Sequence, residues 1–258
     1  MLLVVLTAER LLRVYDTNDA TVPLAPSGVP ALDGLTGGMA PGRVWIVVGT
    51  PGQGRTTLMA QWAAAIALEE RQHVHLVTPS EAPAAIAARL LSLTGHLPLG
   101  QLAAHSTNSS HAESLAWAKE RVAAMALSLF AEGEDTYVPE VHPFRAPTTP
   151  TALVIDDADL VGGVTPTAAK RWSDAGLFVL LSLPRHLVLT DSSSEADIDP
   201  AWGRVSDVVL EVRHRGLSNS RAAPGDAELQ VHYNRRGHTR TVPVVHQAHF
   251  SRFVDPQP

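Results

Sequence analysis

Residues 47–57, VVGTPGQGRTT, set Gly49 and Gly54 four residues apart and follow them with a cation and a hydroxyl, Arg55 and Thr56. This is the spacing of a phosphate-binding loop, with arginine where lysine is usual. In such a loop the backbone N–H groups and the helix N-terminus behind them attract an anion, whatever the side chains. The expected nucleotide-binding stretch is Gly49, Thr50, Pro51, Gly52, Gln53, Gly54, Arg55, Thr56 and Thr57. Arg55 would reach the outer phosphates and the Thr56 hydroxyl would ligate Mg²⁺. The bland alternative is a chance glycine-rich turn.

A second acidic signal lies at LVIDDADL, where an apolar run ends in Asp156. A carboxylate at the carboxyl end of a buried strand can hold the Mg²⁺ shell, partly through water. Asp157 beside it is either a solvated loop acid or a base for an attacking water. The basic side of the ledger is almost all arginine, since Lys119 and Lys170 are the only lysines. A drift from lysine to arginine would carry position 55 with it, but a planar guanidinium and a point-charge ammonium are not equivalent.

The flanks of the loop supply the elements it needs. GRVWIVVG, residues 42–49, is a continuous apolar run of the kind buried on both faces of a parallel sheet, and residues 56–70 run helical. A strand over 73–80, a helix over 82–93, a helix from about 111 to 131 and a strand over 135–141 follow. Further strands are expected at ALVIDDADL, at 176–183, and late in the chain at 206–215, 228–237 and 240–247. Strands alternate with helices early and stand alone late, which predicts an α/β sheet with a β-rich C-terminal edge. The connector between 141 and 152 is too short for a usual parallel crossover, so the strands it joins either lack a helix or are not neighbours.

With 258 residues, 45% of them hydrophobic, the chain can bury one full core. A formal charge of −6 excludes a broadly basic surface and confines any DNA contact to local arginine clusters. There is no cysteine for a disulfide or thiolate metal site, and the twelve histidines show no paired helical spacing. No run approaches the roughly 20 apolar residues of a membrane span, and the N-terminal 15 residues have neither a basic leader nor a small-residue cleavage site. A cytoplasmic protein is expected.

The flanking sequence also resembles the C-terminal motor domain of DnaB-type replicative helicases. The segments Gly28 to Asp33 and Thr36 to Gly42 lead into the loop as in that family, and VHYNRRGHTRTVPVVHQAHFSRF resembles its last strands. The resemblance spans about residues 23 to 254 and implies a RecA-like P-loop NTPase. Its central sheet would be mostly parallel and flanked by helices, with antiparallel C-terminal edge strands. On this reading residues 1–22 are an N-terminal extension and 23–258 the ATPase domain, without the primase-docking domain of the family.

The same resemblance implies ATP and Mg²⁺ as cofactors, a homo-oligomeric ring, often a hexamer, and single-stranded DNA in its channel. It gives Arg235 as the arginine finger that enters a neighbour's site, the alternative being a surface arginine of the hairpin. It gives Glu81, or Ser80 in an ungapped alignment, as the position of the water-activating base. Leu183 stands where the family has a phosphate-sensing glutamine, and the loop HLVLTDSSSEADIDP carries Asp191, Glu195, Asp197 and Asp199 without a lysine or arginine. Arg185 at its root is the nearest cation.

Two functions are therefore expected: an ATP-driven translocase on DNA with slow hydrolysis, or a nucleotide-holding paralogue that assembles or regulates replication or recombination proteins. A filament-forming recombination ATPase is a third.

Overall fold

The computed structural model describes residues 23–69, 72–106, 108–131, 151–190, 197–214 and 223–256. The chain enters through a short helix, α1 (Pro30–Thr36), then β1 (Val44–Gly49), α2 (Arg55–Ala67), β2 (Val74–Thr78) and α3 (Pro83–Gly95). The helices α4 (Leu99–Ala103) and α5 (Ala112–Ala123) lead to β3 (Leu127–Ala131), and β4 (Ala152–Ile155) to α6 (Pro166–Asp174) and β5 (Phe178–Pro184). A small ribbon, β6 (Leu189–Thr190) with β7 (Asp197–Ile198), precedes α7 (Pro200–Val205) and β8 (Val208–His214). Three closing strands follow: β9 (Asp226–Asn234), β10 (Thr241–Gln247) and β11 (Arg252–Val254).

Among the described residues, nine strands form one sheet in the order β11-β10-β9-β8-β1-β5-β4-β2-β3. The run from β8 to β3 is parallel, and β9, β10 and β11 extend it antiparallel. The six residues of β1 are buried throughout, as a strand covered on both faces must be. The burial of β9 alternates, as suits an edge with one face on the core.

Alternation along the central strands sorts the core into two layers. Trp45 and Val47 of β1 join Phe178 and Leu180 of β5 under α2, whose Leu58, Met59, Trp62 and Ile66 fill that face. Val44, Ile46 and Val48 join Val179 and Leu181 on the other face, closed by Trp172 of α6 and Trp202 of α7. Trp45 packs edge-on against Trp62 at 5.7 Å and against Phe178 at 5.8 Å.

The helix expected from 111 to 131 ends at Ala123, and its last part is the strand β3, paired parallel with β2. Alanine and leucine fit either state, and the neighbour strand decides the outcome. The strand expected at 135–141 lies outside the described residues, as do residues 1–22. Strands β3 and β4 both flank β2, so they are not neighbours. Helix α6 is not among the expected elements, although Thr165 accepts from the Ala168 N–H and Pro166 opens the helix, a start signal visible in the sequence.

Side chains lock both ends of the domain onto the loop helix. The Trp62 indole donates to the Ser27 carbonyl at 3.0 Å. Gln61 donates to the Phe253 carbonyl and accepts from its N–H, at 2.9 and 2.7 Å, so β11 is fastened to α2. Buried Arg43 donates to the carbonyls of Thr36, Gly37 and Gly38, holding the turn before β1.

Candidate functional site

The carboxyl ends of β1, β5, β4 and β2 meet at one edge of the sheet, where the 49–57 loop crosses from β1 to α2. Gly54 precedes the helix at φ +89, in the left-handed region that favours glycine. A Cβ there would lie 2.9 Å from the Phe253 ring and 3.2 Å from His246, so the closing strands leave room for hydrogen only. Helix α2 starts at once, and the N–H groups of its first turn are turned toward the loop. The Gln53 amide oxygen accepts from the His214 N–H at 2.6 Å, tying the loop to the end of β8.

Asp156 follows β4 and is buried, with 1% of its surface exposed. Its Oδ1 accepts from the Ser182 hydroxyl of β5 at 2.5 Å, whereas Oδ2 is buried without a hydrogen-bond partner. Burial pushes this carboxyl above its ordinary range, opposed by the Ser182 hydrogen bond and by the nearby Thr56 hydroxyl. A buried carboxylate oxygen left open beside a loop hydroxyl is the donor set a small hard cation takes, with water and phosphate completing its shell. No group of three or more His, Cys, Asp or Glu gathers as a metal cage among the described residues. Mg²⁺ held by Thr56 and Asp156 together with a phosphate ligand fits this arrangement.

Arg55 does not extend freely into the loop. Its Nη2 donates to Asp157 Oδ1 at 2.8 Å, and its Nη1 is buried with no hydrogen-bond partner. Asp157 accepts at its other oxygen from the Ser80 hydroxyl at 2.5 Å, and its N–H donates to Ser182 Oγ at 2.9 Å. Glu81 gives both carboxylate oxygens to Arg89, at 2.9 and 2.7 Å. Of the two residues weighed for the base position, Ser80 thus joins the loop network and Glu81 joins an ion pair with α3. Leu183 is buried in the apolar layer under α6.

Arg235 lies after β9, away from this edge. It donates to the carbonyls of Ser206, at 3.0 and 2.8 Å, and Arg204, at 2.8 Å, with its side chain 41% exposed. Its guanidinium also stands 5.8 Å over the Tyr233 ring. Arg185 donates to Glu211 at 3.0 Å, and Arg213 and His232 join the same carboxylate. Burial would raise Glu211, but the His232 and Arg213 hydrogen bonds and the charges of Arg213 and Arg185 hold it at about 2. Sequence reasoning missed this cluster, because Arg185 and His232 reach Glu211 from 26 and 21 residues away in the chain. In the acidic loop Asp191 and Glu195 lie outside the described residues, Asp197 sits in β7, and Asp199 caps α7 by accepting from the Ala201 and Trp202 N–H groups.

A glycine loop between buried strand and helix, with β5 inserted between β1 and the acidic strand β4, defines a RecA-like P-loop NTPase fold. Residues 25–142 match the family described as DnaB-like helicase C terminal domain. A replicative DNA helicase DnaB of Leifsonia xyli subsp. xyli (strain CTCB07) is 24% identical over 264 residues, covering 93% of this chain. The chain spans 58% of the length of that relative. A DnaB-like replicative helicase whose structure was solved with its interactions with primase superposes with a TM-score of 0.77 at 14% identity, over 98% of this chain and 68% of that one. A second solved structure, of an ATPase domain, gives a TM-score of 0.75 at 15% identity, over 96% of this chain and 98% of that one. What the chain resembles is the DnaB-type C-terminal helicase domain.

Proposed function

We propose that this chain is the ATP-binding motor subunit of a DnaB-like replicative helicase, acting in the cytoplasm and driving translocation or unwinding on DNA with slow hydrolysis. The observation that carries this reading is the open, buried Oδ2 of Asp156 beside the Thr56 hydroxyl at the foot of the Gly49–Thr57 loop. The loop N–H groups bind the phosphates and the α2 N-terminus favours their charge. Thr56 and Asp156 would hold Mg²⁺, which would supply positive charge against the outer phosphates. Arg55 reaches the γ-phosphate by leaving Asp157. Arg235 is the residue offered to a neighbouring subunit in a homo-oligomeric ring, after release from the Ser206 and Arg204 carbonyls. Single-stranded DNA and other replication proteins are the partners that this reading implies.

The alternative is a nucleotide-holding regulatory or assembly subunit in replication or recombination. The two closed ion pairs, Arg55 with Asp157 and Glu81 with Arg89, favour it, because they hold a cation back from the phosphates and a carboxylate back from water. Titration with a fluorescent ATP analogue, with and without Mg²⁺, tests the shared core of both readings. Binding should require Mg²⁺, and Asp156→Asn should weaken it tenfold or more, equivalent to about 1.4 kcal/mol. No binding at millimolar nucleotide would overturn both readings. Hydrolysis stimulated by single-stranded DNA separates the motor from the regulatory subunit.

A further inference from the structure

The residue after the metal-holding aspartate has a backbone that few side chains adopt. Asp157 sits at φ +44 and ψ 55 in the left-handed region, where a non-glycine residue is uncommon and strained. That turn is fixed by its N–H on Ser182 Oγ, the same hydroxyl that donates to Asp156 Oδ1. The outcome is a carboxylate carried off β4 and suspended between two other elements. One oxygen rests on the Arg55 guanidinium of the loop and the other on the Ser80 hydroxyl beyond β2.

The neighbouring acids are differently committed. Asp156 is buried with one oxygen on Ser182, and Glu81 is closed on both oxygens by Arg89. Ser80 has no basic capacity of its own. Asp157 keeps 20% of its side chain open to solvent, so water reaches it, and it touches the cation that must follow the γ-phosphate. A shift of Arg55 toward phosphate would free Oδ1, which rests on the Arg55 guanidinium here.

We propose that Asp157 is the carboxylate that orients and deprotonates the attacking water, held in place by Ser80 and screened by Arg55 until nucleotide binds. This rests on the nucleotide site proposed above. The water oxygen forms a bond to the γ-phosphorus, and the bond from that phosphorus to the bridging oxygen breaks with its electron pair left on ADP. The water proton passes to Asp157 and then to solvent. The left-handed turn at 157 and the Ser80 hydrogen bond together hold the carboxylate between the loop and the end of β2.

The test measures affinity for a fluorescent ATP analogue and single-turnover hydrolysis of ATP with Mg²⁺, on wild type, Asp157→Asn, Asp157→Glu and Glu81→Gln. Asp157→Asn should lose hydrolysis by about 100-fold or more, the scale of a removed general base, while its nucleotide affinity stays within threefold. That retained affinity also shows that the variant is folded. Asp157→Glu should recover part of the rate. The proposal is overturned if Asp157→Asn hydrolyses within threefold of wild type, if its affinity falls as far as its rate, or if Glu81→Gln alone abolishes turnover. A wild type that binds the analogue without hydrolysing ATP sinks this proposal and spares the nucleotide site. A wild type that does not bind it sinks both.

Discussion

His246 is the side chain whose charge state folding changes most plainly. Its ring stacks on Phe253 at 4.3 Å, beneath Gly54, and meets His214 at 4.7 Å. Burial, with the positive neighbours His214 and Arg89, lowers its pKa to about 4. The unfolded chain takes up this proton near 6.5 and the folded chain only near 4, so between those values the unfolded state binds more protons. Stability is then lost as pH falls through that window. Melting temperature should therefore drop from about pH 7 to about pH 4.5 in wild type and drop less in His246→Phe, which keeps the stack without the titration. An equal drop in both would exclude His246 as the cause. At this scale the loop and Asp156 were legible because a run of neighbouring residues specifies them. The Arg55–Asp157 and Ser80–Asp157 contacts were not, since they join residues 102 and 77 positions apart and depend on which strands the sheet brings together.

Elements were legible where their burial was uniform. The strands β1 and β5 lie in apolar runs interrupted only by Ser182, and the late strands showed the antiparallel edge by following one another without helices. The failure at β3 has a physical basis, because an edge strand that is only partly buried carries a weak apolar pattern and its partner β2 lies about 50 residues earlier. The acidic segment before α7 gives the converse lesson. Asp199, one of four acids in a loop without lysine or arginine, accepts two first-turn N–H groups and starts the helix under Trp202. Asp199→Ala should cost about 1 kcal/mol of stability and Asp199→Asn a few tenths at most, because asparagine caps as well. Urea unfolding of the two variants measures the difference, and equal losses would show that charge matters there and the cap does not. For the same reason Asp199→Asn is the variant with which to ask whether the acidity of this segment weakens binding of single strands, since it removes charge and keeps the helix.

For the whole molecule, the consequential residue is one that the single chain keeps to itself. Arg235 is satisfied by the Ser206 and Arg204 carbonyls and sits beside Asp207, so in the proposed ring a neighbour's phosphate would have to compete with contacts already made. Mixing an Arg235→Ala chain with an Asp156→Asn chain should restore hydrolysis above that of either alone, because some interfaces then pair an intact loop with an intact arginine. A monomeric mass with hydrolysis independent of concentration would exclude a shared site. The packing has another consequence, an optical one. Trp45, Trp62 and Trp172 have at most 1% of their surface exposed and Trp202 9%, whereas Trp117 on α5 stands 52% open. Native emission should come mostly from indoles walled off from water and lie to the blue, with iodide quenching only the Trp117 fraction. Trp62 rides on the helix that begins at the phosphate loop, so a change in the unquenchable part would track strain passing from the loop into the sheet, with no label added.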